Sequence, residues 1–340
     1  MNYYQPVTNN SPMNCRLLGS GGIATLLPLL FAICAGILAT APVWADPTPF
    51  SRIIVFGDSL SDTGNFYHMN GGLKPPAPYF NGRFSNGPLW IEYLADDLGM
   101  QLLPEDSYAV GGATTGHDNS NDGFAGLTYP GLQDEIAKFL GSHQGAAADP
   151  DALYVVWAGA NDFLALLNPA GSSTASLGDG VRNTIQAVLA LYSAGARQIL
   201  VLNVPDLGVT PLGRASGFGE VISQGCAAYN QSLETNLDAL AAAGIPTIRV
   251  DSFSVLRRMV DFPMSFGFTN VSEPFLAVGG DPDWFLFWDP VHPTTRGHRV
   301  LADEARDELV QYYSPRRGRA LPPAVVNSLN GLVHSHKGGR

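Results

Sequence analysis

The sequence predicts a three-layer α/β/α fold around a central, mostly five-stranded parallel sheet. Two observations lead to this expectation. Short runs of apolar and β-branched residues recur without polar alternation, which is typical of parallel strands buried on both faces. Segments with the helical spacing of apolar residues separate these runs, and a strand, helix, strand order at this spacing produces right-handed crossovers onto one sheet.

The apolar runs and the helical segments alternate along most of the chain. Strands are expected at residues 52–56, 153–158, 198–203 and 246–250, and a shorter fifth strand at 107–110. Helices are expected at residues 89–98, 132–140, 181–194, 227–243 and 295–312. Gly195 and Gly244 follow two of these helices, where glycine commonly ends a helix.

The two ends of the chain differ in composition from the rest. Residues 1–45 contain no Asp or Glu, one charged side chain (Arg16) and an apolar stretch at 23–39, followed by small residues up to Ala45. This pattern predicts a signal peptide cleaved near Ala45, and therefore a secreted or periplasmic protein. A retained membrane anchor is the alternative. Residues 46–313 are expected to form the folded domain, and the basic tail 314–340 to be disordered.

The expected domain is strongly acidic. Residues 46–313 contain 13 Lys and Arg but all 30 of the Asp and Glu, a formal charge of −17. Such a surface repels phosphate backbones, so no nucleic-acid partner is expected. Cleavage would leave Cys226 as the single cysteine, and a buried structural role for it is favoured over a catalytic one. We expect a monomer, and no metal site at His334 and His336 in the tail.

A serine stands where the first predicted strand ends. Ser59 follows Gly57 and Asp58 directly after the run at residues 52–56, and Gly57 permits a tight turn there. In an open α/β sheet the carboxyl ends of the strands border the ligand crevice, which is where a nucleophile is needed. The alternative is that Asp58 and Ser59 only cap a helix.

A base and a carboxylate lie together before the last predicted helix. Asp289 and His292 are separated by two residues, and Pro290 and Pro293 stiffen the segment. A catalytic imidazole needs this rigidity, because one ring nitrogen must face the serine while a carboxylate holds the other. The alternative is an ordinary helix start with proline at its first turn and a surface histidine.

Two further segments end predicted strands with hydrogen-bond donors. One contains Gly111 and Gly112, and the other contains Gly159 and Asn161. Acyl transfer requires donors aimed at the oxyanion of the tetrahedral intermediate, and a glycine N–H and an asparagine amide are suitable. Each segment alone is also a plausible tight turn.

Together these four segments resemble the blocks of the GDSL, or SGNH, hydrolase family, in the same order and spacing. The blocks are Gly57-Asp58-Ser59-Leu60, Gly112, Gly159-Ala160-Asn161-Asp162 and Asp289-Pro290-Val291-His292. The resemblance implies a flavodoxin-like fold, with Ser59 as nucleophile, His292 as base and Asp289 as the residue that orients it. It also implies an oxyanion hole formed by the Ser59 N–H, the Gly112 N–H and the Asn161 amide, with Gly111 as the alternative to Gly112. No metal or organic cofactor is expected.

The longer opening at residues 56–65, with residues 82–87, is similar to the secreted lipase, phospholipase and haemolysin branch of that family, which includes acyltransferases. We therefore expect a serine esterase or lipase that hydrolyses acyl lipids or phospholipids through an acyl-enzyme on Ser59, with possible transient contact to a membrane surface. A lipid acyltransferase with the same triad is one alternative. A carbohydrate O-acetylesterase is another, in which aromatic rings stack on sugars; the candidate rings are Tyr79, Trp90, Trp157 and Trp288. A binding protein without catalytic activity is disfavoured.

Two long irregular stretches, residues 67–88 and 262–288, interrupt the strand and helix pattern. Insertions of this kind on a rigid α/β scaffold usually carry the substrate site. The second stretch is rich in aromatic residues, which predicts an acyl pocket or a lid. The alternative is that these side chains fill the core beneath the loop. The sequence does not identify the substrate-binding residues.

Overall fold

The computed structural model describes residues 50–142, 146–167 and 177–314. The expected signal peptide and the tail beyond Ser314 lie outside these residues and remain predictions. Within the described ranges, no helix is both long enough and apolar enough to cross a membrane.

The described chain alternates strands and helices, as the sequence predicts. The strands are β1 (Ile53–Gly57), β2 (Leu153–Trp157), β3 (Gln198–Leu202), β4 (Ile248–Val250), β5 (Asn270–Pro274) and β6 (Phe285–Phe287). The helices are α1 (Asn65–Met69), α2 (Trp90–Asp97), α3 (Leu132–Ser142), α4 (Ala160–Leu167), α5 (Leu177–Ala194), α6 (Pro211–Ala215), α7 (Gly219–Ala242), α8 (Ser252–Asp261), α9 (Phe275–Val278) and α10 (Thr295–Tyr313). Helix α7 begins at Gly219, well before the expected residue 227.

The central sheet is parallel and has the order β1-β2-β3-β4. Its register pairs Ile53 with Leu153 at one end of β1 and Gly57 with Trp157 at the other. Every residue of β1 and β2 is buried, which explains why these runs lack polar alternation. The predicted α/β class is therefore confirmed.

Alternating side chains of the strands enter two separate cores. Ile53 and Val55 pack into a core that includes residues of α2, α8 and α10. Ile54 and Phe56 point to the opposite face, into a core that includes residues of α3, α5 and α7. A sheet with helices on both faces is the three-layer arrangement that the sequence predicts.

The fifth strand expected at residues 107–110 does not form as a strand. Ser107 makes one parallel bridge with Val55 beside β1, and the Tyr108 N–H donates to the Val55 carbonyl at 2.8 Å. A regular parallel ladder would continue with the Gly57 N–H donating to the Tyr108 carbonyl. That N–H instead donates to the Glu135 carboxyl at 2.7 Å. A buried side chain thus replaces one bond of the ladder, although the Val110 N–H still donates to the Gly57 carbonyl at 2.9 Å. The segment makes one bridge and no strand, and the central sheet has four strands.

The aromatic stretch at residues 262–288 forms elements that the sequence does not predict. Strands β5 and β6 pair in parallel as a separate two-stranded sheet with an irregular register. Leu286 and Phe287 of β6 are buried in the core shared with α2 and α10. The end of β6 thereby fixes the start of the segment that carries Asp289 and His292.

Candidate active site

The turn after β1 presents Ser59. Gly57 has a φ of 146°, and a Cβ at this position would overlap the Trp157 carbonyl of the neighbouring strand. Glycine is therefore required for the chain to leave the sheet here. The Asp58 N–H donates to the same Trp157 carbonyl at 3.3 Å, which holds the turn against β2. Ser59 follows with 8% of its surface exposed.

Ser59, His292 and Asp289 form one chain of short contacts. His292 Nε2 lies 2.8 Å from Ser59 Oγ, and His292 Nδ1 lies 2.7 Å from Asp289 Oδ2. The other carboxylate oxygen of Asp289 accepts the backbone N–H groups of Val291 at 2.8 Å and His292 at 2.7 Å. The geometry brings together the three side chains that the sequence singles out as nucleophile, base and orienting acid.

The protonation states of Asp289 and His292 are set by the burial of the two side chains and by their attraction to each other. Burial opposes the charged form of Asp289, but the neighbouring His292 and the bonds that it and Val291 donate outweigh this and lower the Asp289 pKa to about 2. Burial alone would lower the pKa of His292, yet attraction to Asp289 raises it above its ordinary value. Asp289 is therefore an anion that stabilises a protonated His292.

Tyr79 is a fourth member of this hydrogen-bonded chain. Its hydroxyl donates to Asp289 Oδ2 at 2.8 Å, the same oxygen that faces His292 Nδ1. Burial and the adjacent carboxylate raise the pKa of Tyr79, so the phenol stays protonated and acts as a donor. From the sequence, Tyr79 is expected only as a ring that stacks on sugar. Its place in the irregular stretch at residues 67–88 is the one sequence signal for a role at the site.

Gly112 is a better placed oxyanion donor than Gly111. The Gly111 N–H donates to Asp62 at 2.7 Å, whereas the Gly112 N–H has no acceptor among the described residues and Gly112 lines the same cavity as Ser59. Gly112 has a φ of 89°, and a Cβ there would overlap the side chains of Asn119 and Asn121. The backbone at this position therefore depends on glycine.

Asn161 is held beside Gly112 by its own amide. One N–H of the Asn161 side chain donates to the Ala113 carbonyl at 3.0 Å, and its carbonyl accepts from Ser120 Oγ at 3.3 Å. An amide nitrogen carries two hydrogens, so the second one is available to a ligand. The Ser59 N–H likewise has no acceptor within the described part of the chain. Ser59, Gly112 and Asn161 all line the same cavity, and each has a hydrogen-bond donor available to a ligand there.

One cavity of about 310 Å³ connects this site with the interior. Its mouth includes Ser59 and His292 together with residues of the 67–88 stretch: Lys74, Pro75, Pro76, Tyr79 and Phe84. Its inner wall is formed by buried side chains from β2, α8 and α10, namely Trp157, Val255, Leu256, Met259, His298 and Leu301. A ligand carbonyl at Ser59 can therefore extend an apolar group into the protein.

Two sequence-based interpretations are not supported by this geometry, and one is. Trp90 and Trp288 are buried and do not line the cavity, and Trp157 faces only its inner part, so none of the three offers an open face to a sugar. No residue of the 262–288 stretch lines the cavity, so the acyl pocket expected there is not the one beside Ser59. Phe262, Met264 and Trp284 are exposed, and the lid stays a prediction. Phe268, Phe285 and Phe287 are instead buried core residues. Cys226 is fully buried, as expected for a structural thiol.

Comparison with known proteins identifies the family of this chain. Residues 53–305 match the family profile described as GDSL-like lipase/acylhydrolase. The phosphatidylcholine-sterol acyltransferase of Aeromonas hydrophila is 32% identical, over 83% of this chain and 97% of that protein. Esterase EstA of Pseudomonas aeruginosa is 30% identical, over 82% of this chain but 49% of that protein. An acetylxylan esterase structure from Geobacillus stearothermophilus aligns with 76% of this chain and 93% of that chain, at 13% identity and a TM-score of 0.47. The chain belongs to the GDSL-like lipase and acylhydrolase family, and it is a carboxylic ester hydrolase of that family.

Proposed function

We propose that this protein hydrolyses acyl-lipid esters through an acyl-enzyme formed on Ser59. The observation that carries the proposal is the cavity, which has a hydrogen-bonded Ser59 and His292 at its mouth and buried apolar side chains along its inner wall. An ester carbonyl bound at Ser59 would place its acyl chain among these side chains. The esterase chemistry is that of the family, and the acyl preference follows from the shape of the cavity.

The first half of the reaction transfers the acyl group to the enzyme. Ser59 Oγ attacks the ester carbonyl while His292 Nε2 takes the hydroxyl proton. Asp289 accepts the Nδ1–H of the imidazolium and stabilises its positive charge. The tetrahedral intermediate then breaks the bond to the leaving alcohol, and His292 returns the proton to that oxygen. The Ser59 N–H, the Gly112 N–H and the Asn161 amide hold the oxyanion throughout.

The second half releases the acid. A water molecule gives one proton to His292 and attacks the acyl-enzyme carbonyl. The resulting intermediate expels Ser59 Oγ, which recovers its proton from His292. The raised pKa of His292 assists the two proton abstractions, from Ser59 Oγ and from water, since a more basic imidazole binds the transferred proton more tightly.

The inner wall of the cavity favours acyl chains longer than acetyl. Each methylene that leaves water for this wall contributes about 0.8 kcal/mol, and an acetyl group has none to place there. The buried positions of Trp90 and Trp288 give no support to the carbohydrate alternative. We therefore expect medium-chain esters to react with a higher kcat/KM than acetyl esters.

A panel of 4-nitrophenyl acetate, octanoate and palmitate tests this proposal. We expect kcat/KM for octanoate to exceed that for acetate by at least about tenfold, because several methylenes enter the cavity. Met259→Trp fills the inner cavity and should remove most of this preference while acetate is still hydrolysed. A wild-type enzyme that hydrolyses acetate alone would contradict the lipid assignment and support the acetylesterase alternative.

Acyl transfer is the second candidate, because the relative from Aeromonas hydrophila is named as an acyltransferase and aligns over nearly its whole length. The acyl-enzyme is common to both reactions, and only the acceptor differs. Adding a long-chain alcohol or a sterol to the octanoate assay separates them. Ester product formed in excess over free acid would assign the transfer reaction.

Export remains part of the proposal. The composition of residues 1–45 supports a cleaved signal peptide and therefore action in the periplasm or the medium.

A further inference from the structure

The inner wall of the cavity contains one buried imidazole that the reaction does not use. His298 lies on α10 with 1% of its surface exposed, and it lines the same cavity as Ser59. Its neighbours on the wall are apolar, among them Leu256, Met259 and Leu301. A histidine at this depth needs a hydrogen-bond partner, because a buried polar group without one is costly.

Neither ring nitrogen of His298 has a hydrogen-bond partner within the described residues. The other polar side chains of the inner cavity are satisfied by the protein. Thr210 Oγ1 donates to the Leu207 carbonyl at 2.6 Å, and Ser252 Oγ donates to the Asn203 carbonyl at 2.5 Å. Trp157 Nε1 also donates to the Asn203 carbonyl, at 2.9 Å. His298 is thus the side chain of the inner wall that retains unused hydrogen-bonding groups.

The chemistry of this imidazole defines what it can bind. Burial lowers the pKa of His298 to about 3, and the nearby His292 acts in the same direction. The ring is therefore neutral and offers one N–H donor and one acceptor nitrogen. A carboxylate or an ammonium group would be buried among apolar side chains with a single neutral partner, which is unfavourable. A hydroxyl group is neutral, and it both donates and accepts.

We propose that the inner cavity selects acyl chains that carry a hydroxyl group, with His298 as the residue that binds it. The inference rests on the proposed function, since the chain reaches His298 only when its carbonyl is at Ser59. The apolar wall holds the methylenes, and the imidazole exchanges hydrogen bonds with the hydroxyl. An unsubstituted chain of the same length leaves the imidazole without a partner, and that difference is the source of selectivity.

The competing explanation is a water molecule that bonds to His298 and stays there during turnover. An ordinary saturated chain would then stop short of the imidazole or leave the water in place. In that case a hydroxylated chain gains nothing over a saturated one. The two explanations therefore differ in the ratio of kcat/KM values for matched substrates.

The experiment measures this ratio for 4-nitrophenyl decanoate and a series of its monohydroxylated isomers, with the hydroxyl moved along the chain. For the wild-type enzyme we expect one position at which kcat/KM exceeds that of the unsubstituted chain by about tenfold, the value of one net hydrogen bond. 4-Nitrophenyl acetate, whose acyl group has no methylene chain, reports on the integrity of the catalytic groups.

Variants assign the preference to the imidazole. His298→Phe keeps a planar ring without nitrogen. The ratio of kcat/KM for the hydroxylated isomer to kcat/KM for unsubstituted decanoate should therefore fall to one or below. His298→Gln retains a donor and an acceptor and should recover part of the preference. His117→Phe makes the same substitution at an exposed histidine, paired with Asp134 away from the cavity, and should keep the wild-type ratio. Thermal unfolding checks that each variant is folded.

The outcomes separate the two levels of the proposal. Hydrolysis of decanoate with no preference for any hydroxylated isomer overturns the inference and leaves the esterase assignment intact. A preference that survives in His298→Phe overturns the role of His298. If the wild-type protein hydrolyses no ester and Ser59 takes no acyl group, the proposed function fails and the inference fails with it. The comparison of hydroxylated and unsubstituted decanoates uses the wild-type enzyme alone. It therefore tests the hydroxyl preference even if His298→Phe folds poorly.

Discussion

At the scale of single residues, the site depends on which backbone groups are already bonded. The family resemblance favours Gly112 as the oxyanion donor, but the sequence leaves its neighbour Gly111 open as the alternative. The structure distinguishes them, because Asp62 accepts the Gly111 N–H at 2.7 Å while Gly112 faces the cavity. The difference between the two glycines depends on the Asp62 carboxylate, 49 positions away in the chain. The spacing of residues in the sequence does not show that this carboxylate bonds to Gly111.

Tyr79 is the residue whose role the sequence misses. A tyrosine in a loop rich in glycine and proline carries no pattern that would connect it to Asp289, 210 positions later. Its ring is also packed edge to face with Trp288 at 6.0 Å, which fixes the direction of the hydroxyl. We regard Tyr79 as a positioning residue that acts on His292 through Asp289.

Tyr79→Phe tests this role. Loss of the hydroxyl leaves more negative charge on Asp289 Oδ2, so the pKa of His292 should rise further. Because the neutral imidazole is the base, the acidic limb of the kcat/KM profile should move to higher pH. At the plateau kcat/KM should fall about threefold to tenfold, because Asp289 loses a hydrogen bond that fixes its orientation and that of the imidazole.

Tyr67→Phe is the matched control in the same region of the chain. Its pH profile of kcat/KM should have the acidic limb and the plateau of the wild type. A lower plateau with an unshifted limb in Tyr79→Phe would point to substrate contact and contradict the positioning role.

At the scale of elements, the carboxyl end of β1 is surrounded by buried acids. Asp58, Asp62 and Glu135 are almost completely buried, and burial raises the pKa of each. Their oxygens accept backbone N–H groups: Glu135 holds Gly57 and Val110, and Asp58 holds Leu60 at 3.0 Å. These side chains fix the turn that presents Ser59, and Glu135 replaces one bond of the expected fifth strand.

The acids make stability depend on pH in a defined direction. Burial raises the pKa of Asp58 from 3.8 to about 7, so the folded state binds a proton that the unfolded chain releases. The stability that Asp58 contributes is complete below its unfolded pKa and is lost as pH rises through about 7. The raised pKa of His292 acts in the same direction, whereas the lowered pKa of Asp289 matters only in stronger acid.

We therefore expect the free energy of unfolding to fall between pH 5 and pH 8, measured by urea denaturation. Asp58→Asn keeps the acceptor for Leu60 without a charge. Between pH 5 and pH 8 its free energy of unfolding should therefore fall by at least about 1 kcal/mol less than that of the wild type. Asp96→Asn removes an exposed carboxylate from α2 and should leave the wild-type dependence unchanged. Equal slopes for wild type and Asp58→Asn would contradict the account.

At the scale of the whole molecule, the sequence predicts the central sheet and its flanking helices well and the substrate site poorly. The strands of the central sheet and the helices that flank them follow from buried apolar runs and helical spacing, which are local patterns. The cavity does not follow, because its inner wall combines Trp157 of β2 with residues of α8 and α10, and these meet only after folding. Its aromatic neighbour at residues 262–288 instead contributes to the core.

The central claim is that Ser59 is the nucleophile of an acyl-enzyme, and reaction with a fluorophosphonate tests it most directly. We predict one adduct per molecule by intact mass, located by peptide sequencing on Ser59 within the tryptic peptide 53–83. The adduct should be absent from folded Ser59→Ala, which should also lose hydrolysis of 4-nitrophenyl octanoate. A label on another residue, or near wild-type hydrolysis by Ser59→Ala, would contradict the account.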